Sequence, residues 1–186
     1  MKIETSKAPI GCDYLNEFMA DLPKNCLFDK GKTGCGGTTV ALTNEKDTII
    51  AMPFVSIIKN KIEQAKDKEK YPHDLLGVYA GVTEQDILEY VESRQTKTKK
   101  ILVTYDSLER LINTLQFSKI DVYSDYFLLI DEWHILFNSY AFRNTAIKKV
   151  LRYCIHFKEV TYMTATPIEE EFILEELKHL PIVRVE

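Results

Sequence analysis

Three stretches of the chain hold residue types whose order could do chemistry. In FLLIDEWH, Phe127 to His134, an apolar run ends in two adjacent carboxylates. A strand of this kind delivers its last side chains to a ligand at the carboxyl edge of an open α/β sheet. There, Asp131 is expected to hold Mg²⁺, directly or through water. Glu132 is expected to orient and activate the attacking water of a phosphoryl transfer. His134 would link that site to the next motif. The second stretch is LFDKGKTGCGGTTVAL, in which Gly31, Gly34, Gly36 and Gly37 concentrate four of the seven glycines. Following a strand and opening a helix, such a loop can turn its backbone N–H groups inward as an anion nest. The third, YMTATP, sets Thr164 and Thr166 on either side of Ala165. Their hydroxyls can hydrogen-bond the carboxylate motif and transmit its state. Taken singly, the acidic strand end also fits a solvated turn, the glycine loop a flexible surface loop, and TATP a common turn.

These residues need a scaffold, and the hydrophobic pattern supplies one. Short apolar runs bounded by Pro, Gly, Asp and Thr predict strands at Asn25 to Phe28, Thr48 to Met52, Leu76 to Tyr79, Ile101 to Thr104, Tyr126 to Ile130, Val160 to Met163 and Ile182 to Val185. Several are continuously apolar, which suits strands covered on both faces of a parallel sheet. Between them, Val55 to Lys68 has apolar residues at helical spacing. Thr83 with Asp86 resembles a capping box before DILEYVESR, and Asp106 or Ser107 could cap LERLINTLQ. Phe142 to His156 and Ile168 to Lys178 also read as helices. Strand–helix alternation predicts an α/β fold, three-layered, with a mainly parallel sheet. Residues 1–186 read as one domain: a flanking segment over 1–24 with a helix from Tyr14 to Ala20, and a motif-bearing core over 25–186. SRQTKTKK, Ser93 to Lys100, reads first as a solvated loop and second as a nucleic-acid contact.

Composition narrows the class. With 186 residues, 45% apolar and 28% charged, the chain has the makeup of a globular domain with a substantial core. A net charge of −4 argues against coating nucleic acid by bulk charge but permits a local basic strip. No apolar run is long enough for a bilayer and the start lacks a signal segment, so a cytoplasmic protein without membrane contact is expected. Cys12, Cys26, Cys35 and Cys154 lack metal-site spacing and read as reduced thiols.

In order and spacing, the motifs resemble those of superfamily 2 helicases. GKTGCGGTT stands where that family has A-x-T-G-x-G-K-T; AMPFVSIIKNK resembles motif Ia, VTYDSLERL motif Ib, IDEWH motif II of the DExH type, and TATP motif III. The resemblance covers about residues 25 to 170. It implies a RecA-like P-loop lobe that binds ATP with Mg²⁺ through Gly31, Lys32, Thr33, Gly34, Cys35, Gly36, Gly37, Thr38 and Thr39. Thr38 would complete the metal site with Asp131. His134, Thr164 and Thr166 would couple hydrolysis to nucleic acid, DNA or RNA, held near Pro53, Phe54, Lys59, Thr104 and Ser107. A second RecA-like lobe, in cis or in trans, would complete the motor.

One departure matters. The family's motif I lysine falls at Gly37 here. Losing a charge-assisted phosphate contact costs roughly 1.5–3 kcal/mol, or about 10- to 150-fold in affinity. A glycine in the first helical turn is also expected to reduce helix stability. Lys32, inside the loop, is the first candidate to restore the charge, with a placement similar to the second lysine of signature-lysine ATPases; Lys30 is the second. The competing expectation is a nucleotide-dead helicase-like module that acts as a scaffold for nucleic acid or protein.

Overall fold

In a computed structural model, residues 2–138 and 148–186 are described. Eight strands form a single sheet: β1 (Ile3–Ser6), β2 (Cys26–Asp29), β3 (Thr48–Met52), β4 (Leu75–Val78), β5 (Lys100–Thr104), β6 (Phe127–Asp131), β7 (Val160–Thr164) and β8 (Ile182–Val185). Their order is β1-β8-β2-β7-β6-β3-β5-β4, and every pairing is parallel. The helices are α1 (Gly37–Thr43), α2 (Val55–Gln64), α3 (Glu84–Glu92), α4 (Leu108–Phe117), α5 (Val122–Asp125) and α6 (His134–Asn138). Residues 148–154 are also helical.

The sheet divides the core by residue parity. Leu27, Ile49, Ala51, Ile101, Val103, Leu128, Ile130 and Tyr162 pack on one face with α3, α4 and α5. Phe28, Ile50, Met52, Leu102, Leu129 and Met163 pack on the other with α1 and α2. Both faces of each central strand are therefore dry, which explains the unbroken apolar runs. This is the three-layer α/β arrangement of a RecA-like domain. Among the described residues no helix is long and apolar enough to cross a membrane.

Three expectations need correction. The N-terminal flank contributes β1, parallel to β8, and a 3₁₀ turn at Leu15–Glu17 where a helix over Tyr14 to Ala20 was expected. The stretch Ile168 to Lys178 forms two 3₁₀ turns, Glu170–Phe172 and Glu175–Leu177, instead of one α-helix. Five glutamates lie between Glu169 and Glu176, and the pair Glu171 and Glu175 would repel across one helical turn. Helix α2 stops at Gln64, short of Lys68. The first part of the helix expected over Phe142 to His156 lies outside the described residues. The Thr83 capping box is present: Thr83 Oγ1 accepts from the Asp86 N–H at 3.1 Å, and Asp86 Oδ2 accepts from the Thr83 N–H at 2.7 Å.

The reading of Ser93 to Lys100 as a solvated loop also needs correction at its end: Thr98 and Lys99 are buried, and Lys100, at the start of β5, is fully buried. Its Nζ donates to Ala41 O (2.8 Å), Asn44 Oδ1 (2.5 Å) and Lys46 O (2.5 Å), tying down the C-terminal end of α1. Burial pulls its pKa down to about 8. A lysine whose folded pKa lies below its unfolded value binds fewer protons folded than unfolded between those two values. Its contribution to stability therefore grows as pH rises through that window. At about 1.4 kcal/mol per pKa unit, wild type should gain roughly 1.5 kcal/mol over Lys100→Met between pH 8 and 9.5. Urea unfolding of both proteins at the two pH values measures this, and subtraction cancels the tyrosines common to both. A pH-independent difference would refute it.

Candidate functional site

Parallel strands end at a common edge, and the order β2-β7-β6 sets the glycine loop one strand away from the acidic strand end. In register, Asp29 pairs with Thr164 and Asp131 with Met163. The loop after β2 folds back over β7, so that Thr38 Oγ1, in the first turn of α1, donates to Asp131 Oδ2 at 2.9 Å. A cavity of about 780 Å³ opens there, lined by Lys30, Gly34, Gly36, Gly37, Thr38, Thr39, Asp131 and Glu132. Tyr14, Asn16, Ile57, Lys61, Glu63, Gln64, Asp67, Lys70 and Tyr71 form the rest of its wall.

The carboxylates differ in environment. Asp131 is buried, and its Oδ1 accepts no hydrogen bond. Burial pushes its pKa up, against the opposing pull of Lys30. Glu132 is less buried and sits at φ 55°, a left-handed conformation that costs a non-glycine residue roughly 1–2 kcal/mol. That turn directs its carboxylate to two partners: Lys30 Nζ at 2.8 Å and His134 Nδ1 at 3.3 Å. His134 Nδ1 also lies 2.8 Å from Thr164 Oγ1, which accepts from the Thr166 N–H at 2.9 Å. The expected coupling residues thus form one connected path from Glu132 to the end of β7.

Lys30 is 7% exposed and sits between the two carboxylates, with Nζ 3.6 Å from Asp131 Oδ1. Burial alone would lower its pKa; Asp131 and Glu132 override that and hold the ammonium above its ordinary value. Lys32 is elsewhere. Its side chain is 62% exposed, its Nζ is 3.4 Å from Asp13 Oδ1, and it lines a separate hollow with Gly31. Thr33 is exposed, and Cys35 is buried with its thiol donating to Lys30 O. All four cysteines are free thiols.

The loop's conformation has identifiable supports. Asp29 accepts from the Gly31 N–H at 3.1 Å and from Arg184 Nε at 2.9 Å. A Cβ at Gly31, whose φ is +79°, would stand 2.9 Å from Val185 O. Strand β8 therefore braces the loop, a role that no local motif in IVRV signals. Tyr105, just after β5, donates through its hydroxyl to Asp131 O and so ties the segment after β5 to the acidic end of β6.

The donor set suits Mg²⁺ with a polyphosphate. That ion commonly uses one or two carboxylates, waters and phosphate oxygens in place of an all-protein cage. A hydroxyl and a carboxylate in contact, with one carboxylate oxygen that accepts no hydrogen bond, fit it. Among the described residues no group of three or more His, Cys, Asp and Glu converges as a metal cluster.

The residues expected near nucleic acid share the same sheet edge. Phe54 is half exposed and Lys59 is exposed, with Nζ 5.6 Å from the Tyr79 ring centre. Pro53 is half-buried. Thr104 is buried, and its hydroxyl donates to Ser107 Oγ at 3.0 Å. No protein-family model and no curated protein matches this chain.

Proposed function

We propose that the chain is the ATP-binding lobe of a superfamily 2 helicase-like, nucleic-acid-dependent ATPase. The observation that carries this reading is the contact between Thr38 and Asp131. It brings the glycine loop and the acidic strand end to one cavity, where Asp131 Oδ1 accepts no hydrogen bond and has Lys30 Nζ at 3.6 Å as its counter-charge. Asp131 and Thr38 would hold Mg²⁺, which supplies charge neutralisation along the phosphates. Gly34 to Thr39 would cradle the phosphates, and Tyr14 and Asn16 lie on the wall where the rest of a nucleotide has room. Glu132 is the base: its carboxylate is positioned to take a proton from water, and His134 and Thr164 carry its state toward the TATP turn. The motif Ia and Ib residues at the same edge support a nucleic-acid track over Phe54 and Lys59, with a second lobe closing the cleft.

Gly37 favours a second reading, a nucleotide-dead module that binds nucleic acid or protein as a scaffold. Calorimetric titration of the whole chain with ATP, with and without Mg²⁺, separates the two. Binding that depends on Mg²⁺ is expected. Absence of binding at millimolar ATP would leave only the scaffold.

A further inference from the structure

We infer that Lys30 supplies the phosphate-facing positive charge of this site, from the end of β2, in place of a lysine at position 37. The inference rests on the nucleotide-binding reading above. Its first ground is burial. A lysine is almost never buried unless paired, and Lys30 lies 7% exposed at the cavity wall between Asp131 and Glu132.

The second ground is volume. A Cβ at Gly37 would stand 2.5 Å from Met163 Sδ and 3.4 Å from Lys30 Cδ. The route by which a side chain at 37 would enter the site is thus filled by Met163, with the Lys30 stem alongside. A side chain at 37 therefore has no free path past Met163, while the Lys30 stem passes the same spot in ordinary van der Waals contact.

The third ground is the position of the other cations. Lys32 points away to Asp13. Lys61 and Lys70 line the cavity from α2 and the segment beyond it, and Lys70 Nζ lies 5.7 Å from the Tyr71 ring centre. Lys30 alone among these touches both carboxylates. With no ligand, those carboxylates neutralise it. A metal taken up by Asp131 and a phosphate oxygen offered to Lys30 would replace that pairing and release Glu132 for its role as base.

The test measures affinity for MgATP and MgAMP in wild type, Lys30→Met and Lys32→Ala. Lys30→Met should lose about 10- to 150-fold in ATP affinity, the worth of one charge-assisted contact. Its AMP affinity should stay within about threefold of wild type, a change worth less than one such contact. Unchanged ATP affinity in Lys30→Met, or a larger loss in Lys32→Ala, overturns the inference while leaving the nucleotide site in place. Failure of wild type to bind either nucleotide overturns the site itself, and the role of Lys30 with it. Should Lys30→Met not fold, wild type can be treated with an acyl phosphate of ATP. A lysine amine attacks the acyl carbon, ATP departs, and an amide remains for mass spectrometry. Amide on Lys30, suppressed by excess ATP, is expected; amide on Lys32 or Lys61 with none on Lys30 overturns the inference.

Discussion

Asp131→Asn should lower the affinity for ATP in the presence of Mg²⁺ by about 10- to 150-fold, the value of one charge-assisted interaction. It should also abolish the difference between titrations with and without Mg²⁺. The substitution preserves shape and leaves the Thr38 hydroxyl a partner, so the loss isolates the charge. Stability should move the other way or not at all. The carboxylate is buried with one oxygen that accepts no hydrogen bond, and burial disfavours its charge more than Lys30 favours it. Removing it lifts that cost, while Lys30 keeps Glu132. Thermal melting followed by circular dichroism should therefore show an unchanged or higher midpoint. A lower midpoint with undiminished ATP affinity would identify Asp131 as a structural residue only.

A lysine at position 37 should damage this protein. Gly37→Lys, and even Gly37→Ala, is expected to destabilise the fold by roughly 1–3 kcal/mol, the usual cost of overpacking a filled core. Helix propensity alone argues the opposite, since glycine is worse than alanine in a helix by up to about 1 kcal/mol. The clash decides: Met163 is fully buried, and its sulfur would lie 2.5 Å from the new Cβ. A double-mutant cycle with Met163→Ala checks the cause. Relief of the clash should appear as a coupling of about 0.5–3 kcal/mol between the two positions. Additive effects would mean that position 37 is limited by something other than Met163. The expectation that Gly37 gives nothing to stability is thereby revised.

The central strands were legible because burial on both faces leaves an unambiguous signature. Ile49 to Met52 and Leu128 to Ile130 have no exposed face to interrupt the apolar run. Strand β1 was not legible: IETS is short and largely exposed, and it is held by pairing with β8, a contact some 180 positions distant. Like-charge crowding from Glu169 to Glu176 opposes the helix expected over Ile168 to Lys178. At the cavity, Asp131, Glu132, Thr38, Gly34, Gly36 and Gly37 were readable from type and order, whereas Gly31 lies outside its lining. Lys30 carried less weight than Lys32, because the tip of a glycine loop is the natural place to look for a phosphate contact. What sets Lys30 apart is the strand order β2-β7-β6, which runs its side chain past β7 toward β6, and strand order is not written in local spacing. The brace of Asp29 by Arg184 is hidden for the same reason.

The left-handed backbone at Glu132 has a bearing on how such a chain can change over generations. Glycine meets no steric penalty in that conformation, and a glutamate codon becomes a glycine codon through one base substitution. Relief of local strain at the acidic turn is therefore always within a single mutational step. That relief is opposed by Lys30, whose closest carboxylate is Glu132 at 2.8 Å, so a lineage with no use for this carboxylate is expected to shed the buried lysine along with it.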